Sequence, residues 1–195
     1  RERADLVVVS FHWGDMSRPY HLSDHETRTA RYCIDAGASL VVGHQHHALR
    51  GVEWYRDRPI FYGLGHFVFD LELKWSEEQL RQLLAEIDPT GLSQTPYTTA
   101  PRPGWPRLPM HEDTRMTLMA WALAGKDGVR DIGFVPCRLT PDGMVHPVGA
   151  GTPEWEEIVA YVAKCNQSQR LAGHVTSDDA PRIGGCDSLR VTPSR

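Results

Sequence analysis

Two short apolar runs constrain this chain most: Asp5-Leu-Val-Val-Val-Ser10 and Ser39-Leu-Val-Val42. Neither alternates with polar residues, so each reads as a strand covered on both faces, the habit of parallel sheets. Between them, Ser23 or Asp24 can cap a helix running to about Ala36. Its apolar positions Ala30, Cys33, Ile34 and Gly37 have helical spacing, and Gly37 is placed as a C-terminal stop. The unit is strand-helix-strand, with parallel strands and a right-handed crossover. It predicts an α/β fold.

The pattern then changes. Gly51 to Tyr55 and Pro59 to Tyr62 flank Arg56-Asp57-Arg58, as in a hairpin. Gly63-Leu64-Gly65 reads as a tight turn, and Phe67-Val68-Phe69 as a short apolar segment. Ser76 to Ile87 has helical periodicity with an N-cap-like Ser-Glu-Glu start. Pro89 to Pro109, rich in proline, threonine and glycine, reads as a mobile loop. Thr114 to Ala124 and Gly133 to Leu139 are strand-like about the turn Gly125-Lys126-Asp127-Gly128. Pro153 to Lys164 predicts a helix with Trp155, Ile158, Val159 and Val162 inward. The polar stretch after about Gly173 reads as a loosely held tail. The expected organisation is one domain over 1–172 and a polar tail over 173–195, with no internal repeat.

Composition narrows the function classes. The 195 residues fit one domain, and 41% hydrophobic with 24% charged content is ordinary for a globular chain. A net charge of -4 without a basic stripe argues against nucleic acid as a partner. No apolar run approaches the ~20 residues of a membrane span. The chain opens Arg1-Glu2-Arg3 without methionine or signal peptide, so the natural start is expected upstream. Cys33, Cys137, Cys165 and Cys186 show no CxxC spacing, which disfavours a structural zinc site. Cys33, on the apolar helix face, reads as a small core residue.

The histidines are more telling. Seven of the 10 precede residue 70: His12, His21, His25, His44, His46, His47 and His66. Both buried runs end in histidine-bearing loops, Phe11-His12-Trp13-Gly14 and Gly43-His44-Gln45-His46-His47. Ligands of α/β sheets bind outside the carboxyl ends of strands, so the two loops should converge. Neutral imidazole suits divalent transition metals. His12, His44 and His47 are the candidate metal ligands. His46 reads as a non-ligand, because three histidines in four residues cannot all point inward. His66 after Gly65 either lines the pocket or caps a turn. Trp13 either walls the site from water or packs in the core, and Gly14 permits a sharp exit. Asp15 reads as a turn residue or as an orienter of a histidine ring. His21 and His25 are expected at the surface.

Four collinear motifs carry a resemblance: Asp5-Leu-Val-Val-Val-Ser-Phe-His12-Trp13-Gly14, Ile34-Asp-Ala-Gly-Ala38, Val42-Gly-His-Gln-His-His47, and Pro59-Ile-Phe-Tyr-Gly-Leu-Gly-His-Phe67. Over about residues 5 to 70 they closely resemble the CapA family. These are the bacterial capsule, or poly-γ-glutamate, synthesis proteins, which are similar to calcineurin-like metallophosphoesterases. The resemblance implies that the chain is part of a four-layer α/β/β/α sandwich with a dinuclear metal site. It places histidine ligands at His12, His44 and His47. Gln45 and His46 stand where the family has a histidine and a proline, and His66 where it has asparagine. The family's Gly-Asp, Asn-Leu-Glu-like and Asn-Asn-His motifs do not occur here, so the chain resembles the carboxyl-terminal half of a longer protein.

The resemblance and the histidines together predict a metal-dependent hydrolase of the metallophosphoesterase type, tied to capsule or poly-γ-glutamate synthesis or processing. A divalent ion (Mn, Zn or Fe) is the expected cofactor, and His46 or His66 the general acid or substrate contact. The expected partners are an anionic polymer or phosphoester and a membrane-bound capsule synthesis complex, with the parent protein at the cell surface. The competing reading is a non-catalytic capsule-assembly component whose basic residues Arg50, Arg56 and Arg58 bind the polymer. A partial gene product without activity is the third.

Overall fold

The computed structural model describes residues 4–15, 18–68, 76, 78–79, 82, 104–105 and 110–194. They build a mixed α/β structure with two sheets. The first holds β1 (Val8–His12), β2 (Leu40–His44), β3 (Val52–Tyr55) and β4 (Arg58–Phe61) in the order β1-β2-β4-β3. β1, β2 and β4 run parallel, and β3 is antiparallel to β4. The second sheet is antiparallel. β5 (Met116–Gly125), β6 (Gly128–Leu139), β8 (His174–Thr176) and β9 (Leu189–Thr192) follow the order β5-β6-β9-β8, with β7 (Val145–Pro147) on β6.

α1 (Asp24–Asp35) connects β1 to β2 as expected. Ser23 and Glu26 form a reciprocal capping box, which satisfies backbone donors that the first turn leaves open. The helix ends before Gly37, whose φ of +105° lies in the left-handed region glycine tolerates. Ala30 and Ile34 bury their face with Val41, Ile60 and Tyr62 of the first sheet. Burying Ile34 alone contributes about 2 kcal/mol. The other core joins the two sheets through Val52, Phe61, Leu118 and Phe134 and packs α2 (Pro153–Gln169) through Trp155, Ile158 and Val162. The α2 helix starts on a Thr152 cap and runs five residues past the predicted end.

Three expectations are corrected. The first run was expected to be covered on both faces, but the strand begins only at Val8 and lies at the end of the sheet order, with Val8 59% exposed. An edge position, not side-chain pattern, decides that exposure. β6 starts at Gly128 rather than Gly133, making a two-residue hairpin over Lys126-Asp127. The supposed polar tail contains β8 and β9. Leu189 and Val191 are buried and carry β9 onto β6, which outweighs the polarity of their neighbours. The predicted Pro89 to Pro109 loop lies outside the described residues except Gly104 and Trp105. Of the predicted Ser76 to Ile87 helix, only Ser76, Glu78, Gln79 and Gln82 are described. There Ser76 and Gln79 exchange capping hydrogen bonds of 2.8 and 3.2 Å. The four cysteines are free. Among the described residues, no helix is long and apolar enough to cross a membrane, which says nothing of β-barrels.

Candidate functional site

The parallel register of β1 and β2 pairs Phe11 with Gly43 and His12 with His44 at the carboxyl ends of both strands. Their Nδ1 atoms stand 3.1 Å apart, and both side chains are exposed. The backbone N–H of Trp13 donates to the His44 carbonyl at 3.0 Å, so the two loops leave the sheet tied together. Trp13 itself is a core residue. It is buried, stacks on Phe11 and donates from Nε1 to the Tyr62 carbonyl at 3.1 Å. Gly43 allows this approach, since a Cβ there would lie 2.2 Å from Trp13 Nε1 and 2.3 Å from the Tyr62 carbonyl. Gly14 makes the sharp exit at φ +102°.

The loop after β2 is strained. Gln45 has φ +105° and His47 φ +57°, conformations that non-glycine residues hold at a cost of about 1–3 kcal/mol each when the surroundings enforce them. Between them, His46 turns inward. Its side chain and that of Glu26 are wholly buried, and His46 Nε2 donates to Glu26 Oε1 at 2.6 Å. The other Glu26 oxygen accepts from the backbone N–H and the hydroxyl of Ser23 at 2.8 and 2.9 Å. Burial alone would raise the Glu26 carboxyl. The bonds from His46 and Ser23 outweigh it and hold the group below the usual carboxylate range. Burial keeps His46 below its ordinary value although Glu26 pulls the other way. The pair is therefore a carboxylate accepting from a neutral imidazole.

His47 turns to the other side and meets His66, with Nδ1 and His66 Nε2 2.6 Å apart. Burial lowers the His47 imidazole, and the nearby His12 and His46 rings add to that. His66 is buried and is pushed down to about 4, first by burial and then by His47, against a backbone contact with Thr114. At neutral pH both rings are neutral.

These placements sort the candidates. His12 and His44 come together, His47 stands beside them with His66 behind it, and His46 leaves the group. His46, expected as an acid or substrate contact, has no exposed side-chain surface here and bonds Glu26. Asp15 is a loop residue, 3.5 Å from Arg18, with its carbonyl accepting from Arg50. His21 is half-buried and His25 exposed. Arg50 is fully buried and binds the carbonyls of Leu49, Asp15 and Arg18. Sequence reasoning missed Glu26, although Ser23-x-x-Glu26 spells a capping box that would have flagged its position.

The donor chemistry fits a divalent cation. Two nitrogens on a tetrahedral zinc, each ~2.0–2.1 Å from the ion, stand about 3.3 Å apart. The 3.1 Å separation of the His12 and His44 Nδ1 atoms is close to that edge. Among the described residues, no three His, Cys, Asp or Glu side chains are already gathered at metal-holding distance. His47, close enough for the His12 ring to lower its imidazole, is the candidate third donor, with Nδ1 2.6 Å from His66 Nε2.

Comparison with known proteins bears on the same segment. Residues 1–71 match the family described as "Bacterial capsule synthesis protein PGA_cap". The chain is 44% identical over 70 residues to the PGA biosynthesis protein CapA of Bacillus subtilis (strain 168), covering 36% of this chain and 18% of that relative. It is 45% identical over 69 residues to the capsule biosynthesis protein CapA of Bacillus anthracis, covering 34% and 16%. A probable polyglutamine synthesis accessory protein of Mycobacterium tuberculosis (strain CDC 1551 / Oshkosh) is 39% identical over 80 residues, covering 41% and 21%. The matched stretches thus span about a fifth or less of these relatives. The resemblance to the CapA family is borne out over residues 1–71, the segment that holds all the histidines of the site.

Proposed function

We propose that this chain carries the histidine part of a metal-dependent hydrolase site of the metallophosphoesterase type, working in the synthesis or processing of a capsule polymer such as poly-γ-glutamate. The two sheets with their helices would be part of a four-layer α/β/β/α sandwich. The observation that supports the reading is the His12–His44 pair: two exposed imidazoles in strict register at the ends of parallel strands, one ligand edge apart. The names of the relatives supply the polymer context, and fold alone does not choose the substrate.

His12 and His44 would hold the ion, with His47 as third donor. A divalent cation there supplies positive charge for a developing phosphoryl or carbonyl oxyanion and acidifies a water. His66, neutral at pH 7, stands against the His47 ring and would orient it. Trp13, buried in the first loop, ties it to the second through its backbone bond to the His44 carbonyl. The polymer-binding alternative is weakened chiefly at Arg50. Arg50 is buried, Arg56 pairs with Asp35, and Arg58 starts β4 at the opposite end of the parallel strands from His44.

Metal analysis of the purified chain tests this, together with hydrolysis of p-nitrophenyl phosphate and poly-γ-glutamate. The reading expects about one or two divalent ions per chain and loss of both ion and hydrolysis in His44→Ala. A chain that retains no divalent ion, or a His44→Ala variant that keeps both, overturns it.

A further inference from the structure

We infer that the buried Glu26–His46 pair is a positioning anchor for the histidine loop, clamping it against the first turn of α1 so that His44 and His47 face the site. The inference deepens the metal reading, on which its metal readout rests, and its remaining grounds are geometric.

Four observations converge on His46. The two residues flanking it, Gln45 and His47, both hold left-handed backbone, so the loop does not keep this shape unaided. The His46 ring lies in a fitted slot. A Cβ at Gly14 would stand 1.9 Å from its Nε2, and one at Gly63 would stand 3.0 Å from its Nδ1. Its partner Glu26 is fixed twice more, by the Ser23 amide and hydroxyl, so the anchor point belongs to a helix terminus rather than to a free side chain. The pair is also dry: both side chains are fully buried, where a hydrogen bond to a charged group is stronger than in water. With His46 drawn inward between them, His44 and His47 are left to turn outward. Gly14 belongs to the first histidine loop, so the same slot sets how closely the His12 loop approaches the second one. Glu26 and His46 thus act through other residues. They touch neither ion nor substrate.

Co2+ titration of the full chain, read by absorption, tests the anchor with four variants. Glu26→Ala and His46→Ala should each weaken Co2+ binding by about 10- to 100-fold, the usual effect of losing a support behind a ligand. The double variant should be no weaker than the worse single one, because the two act as one unit. Glu26→Gln, which keeps an oxygen for the His46 N–H, should recover binding to within about threefold. Thr152→Ala is the control for a purely structural role. It removes the cap of α2, costing stability of a similar kind at a distance, and should leave Co2+ affinity unchanged. Glu26→Ala and His46→Ala binding like the unmodified chain, or Thr152→Ala weakening Co2+ as much as they do, overturns the anchor.

If the unmodified chain takes up no Co2+, the metal reading fails, and ring-nitrogen NMR of His47 and His66 decides the anchor instead. The bonded pair should show in the unmodified chain and in Glu26→Gln and vanish in Glu26→Ala. Its survival in Glu26→Ala overturns the anchor, and should His46→Ala fail to fold, the Glu26 variants decide alone.

Discussion

Two sets of histidines on neighbouring loops have opposite environments. His12 and His44 end adjacent parallel strands and stand in solvent with their Nδ1 atoms 3.1 Å apart. His46 and His66 lie behind the site, buried and bonded to Glu26 and to His47. The exposed pair faces solvent, and among the described residues its Nδ1 atoms meet only each other. Each ring of the buried pair has its Nε2 committed to a protein partner, and burial lowers both imidazoles. Residue type is thus a poor guide to role here. The strand end that carries a histidine, and the direction its loop turns, separate exposed rings from buried ones.

The contrast can be broken most forcefully at His46. His46→Ala removes the donor and leaves the Glu26 carboxylate buried with only Ser23 to satisfy it. The expected loss is about 3 kcal/mol or more of unfolding free energy, read by urea denaturation. A loss under about 1 kcal/mol would mean that the pair is solvated.

Acid is the next lever, on the metal-free protein. His66 is depressed to about 4 in the folded chain against an ordinary 6.5. Above pH 6.5 both states are unprotonated there and the group contributes no pH dependence. As pH falls from about 6.5 to about 4, the unfolded chain binds the proton first, so stability declines by about 3 kcal/mol and then levels off. Urea midpoints measured across that window should show this decline, and His66→Gln should reduce it, leaving the shares of His46 and His47, which burial also lowers. An unchanged slope in that variant would place the titration elsewhere.

The smallest effect belongs to the exposed pair. His44→Ala should change unfolding free energy by less than about 0.5 kcal/mol without metal, because an exposed side chain buries little. A loss above about 1.5 kcal/mol would show His44 to be a structural residue like His46.

Much of the scaffold was legible because it is local. The crossover helix follows from Ser23, the Ala30/Ile34 spacing and Gly37. The Arg56-Asp57 hairpin follows from two strand-like runs on either side of a short polar break, and both turn residues adopt left-handed backbone there. His12 and His44 were readable as neighbours because both stand just past the carboxyl ends of two strands joined by one crossover. The buried partners were not. Nothing near His46 in sequence announces that its acceptor is Glu26, 20 residues earlier, or that the Arg50 guanidinium is buried against backbone carbonyls. Solvent exposure of Val8 depends on sheet order, and burial of Leu189 and Val191 on a strand pairing with β6 more than 50 residues away, which a local hydropathy reading does not reach.

The central claim is that His12 and His44 form the ligand edge of a metal site with His47 as third donor. Anomalous diffraction from crystals of the chain grown with Zn2+ tests it most directly. The account predicts an anomalous peak with His12 and His44 nitrogens at ~2.0–2.1 Å and the His47 ring completing the set. A peak held by other residues, or no peak between His12 and His44, would contradict it.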